Sequence, residues 1–229
     1  MICYNYSAPR LEKEAEKLLI QFDPERLKKT KPIDVYAVIE KCLDVEYDWK
    51  YITPDQSILG ATAFNAGYIW VFPEPRYREG MLPIKLNLSK GTILIDATLT
   101  ESNNRGRENF TVLHEVFHQV LHKDYFSCEE PNYIHYTTSG ALKGKKELKT
   151  TLDFIEYQAN LCAAAFLMPQ DLVCDEFKKR SSNLSSKYPI RCNHLIDKIV
   201  RDMADEFSAS NEAMRNRLNN LGMIMPIDT

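Results

Sequence analysis

The segment FTVLHEVFHQVLH (110–122) holds three of the chain's five histidines within nine residues. If residues 108–123 form a helix, with about 100° between successive side chains, five apolar residues share one face. They are Phe110, Leu113, Phe117, Val120 and Leu121. His114 and His118 then lie beside that face, one turn apart. Such a helix either tolerates partly buried imidazoles with ordinary hydrogen-bond partners or holds a metal ion.

The pattern H-E-x-x-H stands at residues 114–118, as HEVFH. Two imidazoles on adjacent turns can bind one metal ion, and Glu115 can flank a water molecule at that ion. The metal lowers the pKa of the water, and the glutamate accepts its proton as the water attacks a carbonyl carbon. Patterns this short also arise by chance, so a catalytic zinc site needs a third ligand from elsewhere in the chain.

His122 is not that third ligand. Eight residues of helix separate it from His114 by roughly 12 Å along the axis, whereas a zinc ion lies only about 2 Å from each ligand atom. We expect His122 either to hydrogen-bond to a metal-binding residue without binding the metal itself or to cap the end of the helix.

The segment DFIEYQANLCAAAFLMP (153–169) is a better source of a third ligand than His135 or His194, which stand in poorly patterned polar stretches. Glu156 and Asn160 are four residues apart and share one helical face. The small residues around them favour close helix packing, which would let Glu156 reach a metal ion on the neighbouring helix. Asn160 could then accept a hydrogen bond from the far nitrogen of a metal-bound imidazole. The alternative to a metal-binding role is that Glu156 faces solvent and Asn160 is a polar residue at the edge of the buried face of the helix.

Both segments resemble motifs of the ImmA/IrrE metallopeptidase family. Members carry R-F-T-x-A-H-E-L-G-H and, some tens of residues later, E-x-x-A-N-x-F-A-A-x-L-L-M-P. The chain has NFTVLHEVFH (109–118) and EYQANLCAAAFLMP (156–169). The second segment, the more specific of the two, matches at Glu156, Ala159, Asn160, Ala163, Ala164, Leu167, Met168 and Pro169. The likeness continues in residues 32–49 and 200–224, so it covers most of the chain.

The resemblance implies a compact, zincin-like peptidase of the gluzincin type, in which His114, His118 and Glu156 bind zinc and Glu115 is the general base. Members are typically bacterial or carried by phages and integrative elements, and several are implicated in cleaving a repressor that contains a helix-turn-helix. The resemblance therefore predicts a protein substrate, with such a repressor as the candidate.

Three positions depart from the family motif. Phe117 replaces the usual glycine before the second histidine, and Leu113 replaces the usual alanine before the first. Both fall on the apolar face of the helix, so we expect them to pack against the sheet, whereas a Phe117 that narrowed the cleft would restrict substrate access. Asn109 replaces the usual arginine.

The spacing of apolar residues along the rest of the chain predicts an α+β fold with a helical C-terminal tail. Short β-type runs between Asp44 and Asp96 predict a small sheet of three to four strands. Helical spacing is found at 8–22, 32–43 (with Pro32 at or near the first turn), 105–123, 150–167, 169–179, 194–207 and 210–221. Gly222 is placed to cap the last helix. We divide the chain into a zincin-like metallopeptidase domain (1–180) and a helical, helix-turn-helix-like C-terminal subdomain (181–229).

The C-terminal tail suggests a competing function, DNA binding. The sequence of residues 199–218 has the pattern of a helix-turn-helix motif, and Arg215 and Arg217 on its second helix could reach phosphates or bases. Its charge argues otherwise. Between Leu195 and Gly222, four basic residues face five acidic ones, whereas phosphate binding requires an excess of positive charge. Direct DNA binding is therefore not expected, and the helix pair should pack on the peptidase or dock a protein partner.

Composition places the chain among ordinary soluble proteins, with 44% hydrophobic residues and a formal net charge of −3. The N-terminus lacks the apolar core of a signal peptide, and the run LCAAAFLM (161–168) is far shorter than the about 20 residues of a membrane-spanning helix. Six cysteines without a C-x-x-C pair favour inert thiols in a reducing compartment. We expect a cytoplasmic protein without membrane contact.

These observations predict a zinc-dependent endopeptidase. The alternative is a regulatory protein that binds DNA or a repressor and whose metal site is structural or sensory. Glu115 disfavours a purely structural metal site, because such a site needs no base.

Residues 124–149 join the helix that bears His114 and His118 to the helix that bears Glu156. This segment contains four candidates to contact the substrate or an oxyanion, namely Tyr125, Tyr133, Tyr136 and His135, and none of them is assigned a role.

Overall fold

The computed structural model describes residues 6–102, 104–126, 133–141, 148–184 and 187–225. Within these ranges the chain forms eight α-helices and six β-strands. The helices are α1 (Ala8–Phe22), α2 (Tyr36–Cys42), α3 (Ala97–Glu101), α4 (Arg105–Phe126), α5 (Thr151–Leu167), α6 (Gln170–Ser181), α7 (His194–Glu206) and α8 (Asn211–Asn220). The strands are β1 (Tyr47–Lys50), β2 (Ile58–Ala63), β3 (Gly67–Val71), β4 (Ile84–Leu88), β5 (Ile93–Asp96) and β6 (Ile134–Thr138). A short 3₁₀ turn, Pro24–Leu27, follows α1.

The strands form a mixed four-stranded sheet in the order β1-β5-β2-β6 and a separate two-stranded sheet of β3 and β4. β1 runs parallel to β5, and the other neighbours are antiparallel. β6 is therefore an edge strand, paired with β2 on one side only. This register places Thr62 opposite His135 and Gly60 opposite Thr137. Because neighbouring residues in register project to the same face, these four form one patch of the sheet.

One face of the four-stranded sheet packs against α4, α4 packs against α5, and α5 packs against α1, in a single apolar core. The sheet contributes Leu59, Ile93 and Ile95 to that core. Phe117 on α4 and Phe166 on α5 meet in it with ring centroids 6.1 Å apart. The other face is covered by the β3–β4 hairpin through a second cluster that includes Ile69 and Val71. α4 is thus held between the sheet and α5, and this is the position in which its side chains can contact both.

The predicted α+β class, the sheet and the C-terminal helices are confirmed, with three corrections. The second helix does not begin near Pro32, because the Asp34 carboxylate accepts the backbone N–H groups of Tyr36 and Ala37 and so starts the helix later. The region 44–96 contains five strands rather than three to four. These are split between two sheets, and the fourth strand of the larger sheet, β6, lies in the segment 124–149, for which the sequence analysis predicts no strand. The short helix α3 was also not predicted.

The C-terminal helices α7 and α8 are docked on the first turn of α4. The Asn109 side-chain amide donates to the carbonyl oxygen of Ser208 at 2.9 Å. A β-carbon at Gly106 would lie 2.3 Å from the backbone nitrogen of Ser210, so only glycine allows the two backbones to come this close. Gly222 caps the end of α8 with a φ of 67°, as predicted. The asparagine that departs from the family motif therefore connects α4 to the tail.

No helix among the described residues is both long enough and apolar enough to cross a bilayer. The described cysteines, Cys42, Cys162, Cys174 and Cys192, are free thiols. Cys3 and Cys128 lie outside the described residues.

Candidate metal centre

Three side chains from two helices converge at the interface of α4 and α5. His114 and His118 project from adjacent turns of α4, and Glu156 faces them from α5. One ligand atom from each of the three residues lies within 4.8 Å of the other two. The small residues Ala159 and Ala163 are fully buried at this interface, which permits the close helix approach that Glu156 requires. The three residues therefore form a buried group that can hold a metal ion.

The distances within the group are close to those of a coordination site. The Nε2 atoms of the two histidines are 2.8 Å apart, and Glu156 Oε2 lies 3.2 Å from His114 Nε2. Ligands bound at about 2.0–2.1 Å in tetrahedral geometry lie roughly 3.3 Å from one another. An ion would therefore require only a small opening of the imidazole pair.

Hydrogen bonds on the far side of His114 turn its lone pair toward the centre. Asn160 donates its side-chain amide to the carbonyl oxygen of Ala141 at 2.8 Å, so its Oδ1 faces His114 Nδ1 at 3.0 Å. An amide oxygen only accepts, and Nδ1 must therefore carry the hydrogen. His114 Nε2 is left with a lone pair that faces His118 and Glu156.

A longer chain of hydrogen bonds does the same for His118. Gln158 Oε1 lies 3.2 Å from His122 Nε2, and His122 Nδ1 lies 3.1 Å from His118 Nδ1. Burial lowers the pKa of His122 to about 4, so the ring is neutral. With the hydrogen of His122 on Nε2, its Nδ1 accepts from His118 Nδ1. His118 Nε2 then also carries a lone pair, which points toward His114 and Glu156.

Two nitrogen lone pairs and a carboxylate oxygen that face one another repel, and a cation relieves that repulsion. Burial alone would lower the pKa of His114, but the adjacent Glu156 carboxylate outweighs it, so the pKa is raised. Burial likewise would raise the pKa of Glu156, but the neighbouring imidazoles of His114 and His135 lower it to about 2. The pKa of His118 is lowered well below its usual value, chiefly by burial. Glu156 Oε2 is buried without a hydrogen-bond donor. The residues present therefore fit a divalent metal.

Glu115 points from α4 toward the sheet. Its Oε2 accepts a hydrogen bond from the Thr62 hydroxyl at 2.6 Å, while its Oε1 is buried without a partner. Burial raises the pKa of the carboxyl group, although the neighbouring His114 and the hydrogen bond from Thr62 act in the opposite direction. Burial thus makes the carboxylate more basic than one in water, which suits a proton acceptor.

The sheet accommodates this carboxylate only because residue 60 is glycine. A β-carbon at Gly60 would lie 2.4 Å from Glu115 Oε1 and 2.9 Å from the carboxyl carbon. Glu115 is fully buried, so it has no open space into which to move. Gly60 and Thr62 together form the surface on which the carboxylate rests.

A groove of about 2870 Å³ borders the site. Glu156 and Asn160 line it from α5, and residues of β6, including His135 and Tyr136, line it from the sheet. Phe117 is fully buried and does not line the groove, so the aromatic ring that replaces the family's glycine fills the core and leaves the groove open. Leu113 is buried in the same core.

The structure brings His114, His118 and Glu156 together, places Asn160 and His122 against the two imidazoles, and sets Glu115 against the sheet. It also shows three contacts that the sequence did not predict. His135 Nε2 lies 2.5 Å from Glu156 Oε1, Gln158 contacts His122, and Thr62 contacts Glu115. The signal for His135 was its setting, Ile-His-Tyr-Thr-Thr, a run of residues that favour strands. Of the aromatic residues in the same segment, Tyr133 stacks on Phe126 at 4.8 Å instead of facing the site.

Comparison with models of known protein families gives no match, and no curated protein matches the chain. The likeness to the ImmA/IrrE motifs therefore rests on the two segments themselves. The site geometry supports the coarser conclusion that the chain has a buried His-His-Glu group compatible with an H-E-x-x-H metal site.

Proposed function

We propose that this chain is a zinc-dependent endopeptidase of zincin-like fold. The observation that carries the proposal is the convergence of His114, His118 and Glu156 next to a buried Glu115, with Glu156 also lining a large groove. Two histidines and one carboxylate are a ligand set typical of catalytic zinc, which keeps one position open.

Zinc bound by these residues supplies a Lewis acid that polarises a peptide carbonyl and makes water more acidic. The protein's own groups do the rest. Glu115 accepts the proton of the attacking water and later delivers it to the leaving amine. Thr62 fixes the Glu115 carboxylate by donating to Oε2, which leaves Oε1 free to take the proton. Asn160 and the pair His122–Gln158 hold the two imidazoles in the tautomers that expose Nε2.

The groove favours a polypeptide over a small molecule. Its volume of about 2870 Å³ exceeds the roughly 300–1,000 Å³ of a small-molecule pocket. It follows one side of α5 from Leu152 to Ala165, a helix length of about 20 Å, or about six residues of extended peptide. β6 borders it as an edge strand and so offers an unpaired row of backbone groups to an extended chain.

The substrate we propose is a regulatory protein, with a helix-turn-helix repressor as the candidate that the family resemblance suggests. We do not propose direct DNA contact. Arg217 is buried and pairs with Glu12, and Arg215 pairs with Asp197 at 2.6 Å, so the two arginines that could have reached DNA already have acidic partners.

The alternative is a regulatory protein in which the metal is structural or sensory. One observation favours it, namely that His114, His118 and Glu115 are all completely buried, as the ligands of a closed structural site would be. Against it, Glu156 lines the groove and keeps 17% of its side chain exposed.

Metal content decides whether the two helices meet at one ion. Elemental analysis of the purified wild type should give about one zinc per chain, and Glu156→Ala should lose it because a ligand is removed. Asp175→Ala, which removes an exposed acidic residue of α6, is the matched control and should keep the metal. Well-folded wild type without zinc would refute the metal site. A zinc-loaded wild type that cleaves none of a broad peptide library, nor a co-purified partner, would favour the structural or sensory alternative.

A further inference from the structure

His135 is the one histidine near the centre that belongs to the sheet and not to a helix. It lies on β6, is 7% exposed, and its ring contacts His118 with centroids 4.5 Å apart and Phe126 with centroids 5.5 Å apart. These contacts fix the ring from two sides. Its Nε2 atom is 2.5 Å from Glu156 Oε1.

The two oxygens of Glu156 consequently have different surroundings. Oε1 faces the His135 nitrogen, while Oε2 has no hydrogen-bond donor and lies 3.2 Å from the inward-facing nitrogen of His114. A carboxylate whose two oxygens were both free could rotate or bind a metal through both of them. The imidazole N–H removes that freedom, because it engages Oε1, which also lies 3.7 Å from His118 Nε2, and leaves Oε2 facing His114.

His135 does not belong to the ligand set itself, since the group whose atoms lie within mutual reach contains only His114, His118 and Glu156 among the described residues. It also stands apart from the groups that orient the imidazoles, which come from α4 and α5. The sheet therefore makes its own contact with the metal-binding carboxylate, through a strand that borders the groove.

We propose that His135 is a positioning residue for metal binding: its Nε2–H holds Glu156 Oε1 so that Glu156 binds zinc through Oε2 alone. The inference rests on the metal site of the proposed function, but it does not depend on whether the site cleaves peptides.

Two substitutions separate the hydrogen bond from the packing of the ring. His135→Gln keeps an N–H donor at a similar reach, and His135→Met has a similar length and volume without a donor. Zinc affinity is measured for both and for wild type by competition with a chromophoric chelator. We expect His135→Met to bind zinc about 10–100-fold more weakly and His135→Gln to stay within about threefold of wild type. Tyr136→Ala, the exposed neighbour on the same strand, controls for disturbance of β6 and should bind zinc like wild type.

Cobalt substitution supplies a readout that a packing role would not change. If Oε1 becomes free in His135→Met, the carboxylate can bind through both oxygens. The visible d–d absorption of Co²⁺ should then weaken, as it does on passing from four to five ligands, and His135→Gln should retain the wild-type spectrum.

Equal zinc affinities in all three proteins would overturn the inference, and so would equal losses in His135→Gln and His135→Met, which would indicate ring packing alone. An unchanged cobalt spectrum in His135→Met would likewise refute binding through a single oxygen as the consequence of this contact. Wild type that binds no zinc would refute the proposed function itself, whereas wild type that binds zinc but cleaves nothing would leave the test of His135 intact.

Discussion

Two packed helix pairs, α4–α5 and α7–α8, differ in where their polar residues lie. In α4 every residue from 111 to 119 is buried, so the helix has no polar face along this stretch. The ionisable residues His114, Glu115 and His118 are thus forced into the interior. In α7 the buried residues Ile196, Val200, Met203 and Ala204 form one stripe and the charged residues lie on the opposite side.

The difference shows where polar residues are part of a site and where they only face solvent. Polar groups inside a protein are costly unless they are paired. In α4, His114 and His122 pair with groups of α5, Glu115 pairs with Thr62 of the sheet, and His118 pairs with His122. Those pairings leave two nitrogens and one oxygen facing each other without a donor between them. α7 and α8 leave no such group in their described residues, because Arg217 has Glu12 and Arg215 has Asp197.

The largest effect should come from Glu115→Gln. The substitution preserves the size of the side chain and an oxygen for Thr62 but removes the basic group, so we expect kcat for peptide cleavage to fall by about 10²–10⁴-fold. Zinc content should stay near that of wild type, because Glu115 is not in the ligand group. Peptide turnover and elemental analysis on the same preparation measure both. Full activity against a confirmed substrate would contradict the role of Glu115 as base.

Arg217→Met should reduce stability without affecting the metal. Its guanidinium donates to both oxygens of Glu12 and to the carbonyl oxygen of Met168. Loss of these contacts should lower the free energy of unfolding by about 2–3 kcal/mol, less than for a wholly buried pair because Glu12 remains partly hydrated. Urea denaturation measures the change. Zinc loss in a variant of normal stability would instead place the tail in the metal centre.

Gln158→Leu tests the hydrogen-bond chain behind His118. Without an acceptor at His122 Nε2, the His122 ring no longer holds the hydrogen of His118 on Nδ1, and zinc should bind about 10–100-fold more weakly. Tyr157→Phe, at the adjacent exposed position, should leave zinc affinity unchanged. The measurement is a chelator competition, and wild-type affinity in Gln158→Leu would show that the chain does not orient His118.

The smallest effect is expected for Arg215→Ala. Its ion pair with Asp197 is partly exposed, and pairs of this kind contribute between zero and about 1 kcal/mol. Unfolding free energy should therefore change by less than 1 kcal/mol. Retention on a DNA column at low salt should be equally weak in wild type and variant. Strong, salt-dependent retention that the substitution abolishes would restore the DNA-binding interpretation of the tail.

The parts of the fold that the sequence could predict are those set by local spacing. The helix at 8–22 was located to the residue, since Leu11, Ala15, Leu18 and Leu19 mark its buried face. β4 also has a local signal, the alternation of Ile84, Leu86 and Leu88, which is typical of a strand with one buried face.

The contacts of His135 could not be obtained from local spacing. That β6 pairs with β2 depends on residues more than seventy positions apart, and only this pairing brings His135 to Glu156. The same holds for Thr62 at Glu115. Conversely, the helical geometry that separated His122 from His114 was sufficient to place it outside the ligand group.

The contact between Gly60 and Glu115 bears on how relatives of this chain should be judged. A relative could retain every letter of both helical motifs and still be inactive, because one added methyl group on β2 would displace the carboxylate that its motif preserves. Position 60 lies more than fifty residues before HEVFH, in a segment without any recognisable signature. Sorting active members from degenerate ones therefore requires the residue opposite the glutamate to be checked as well as the glutamate.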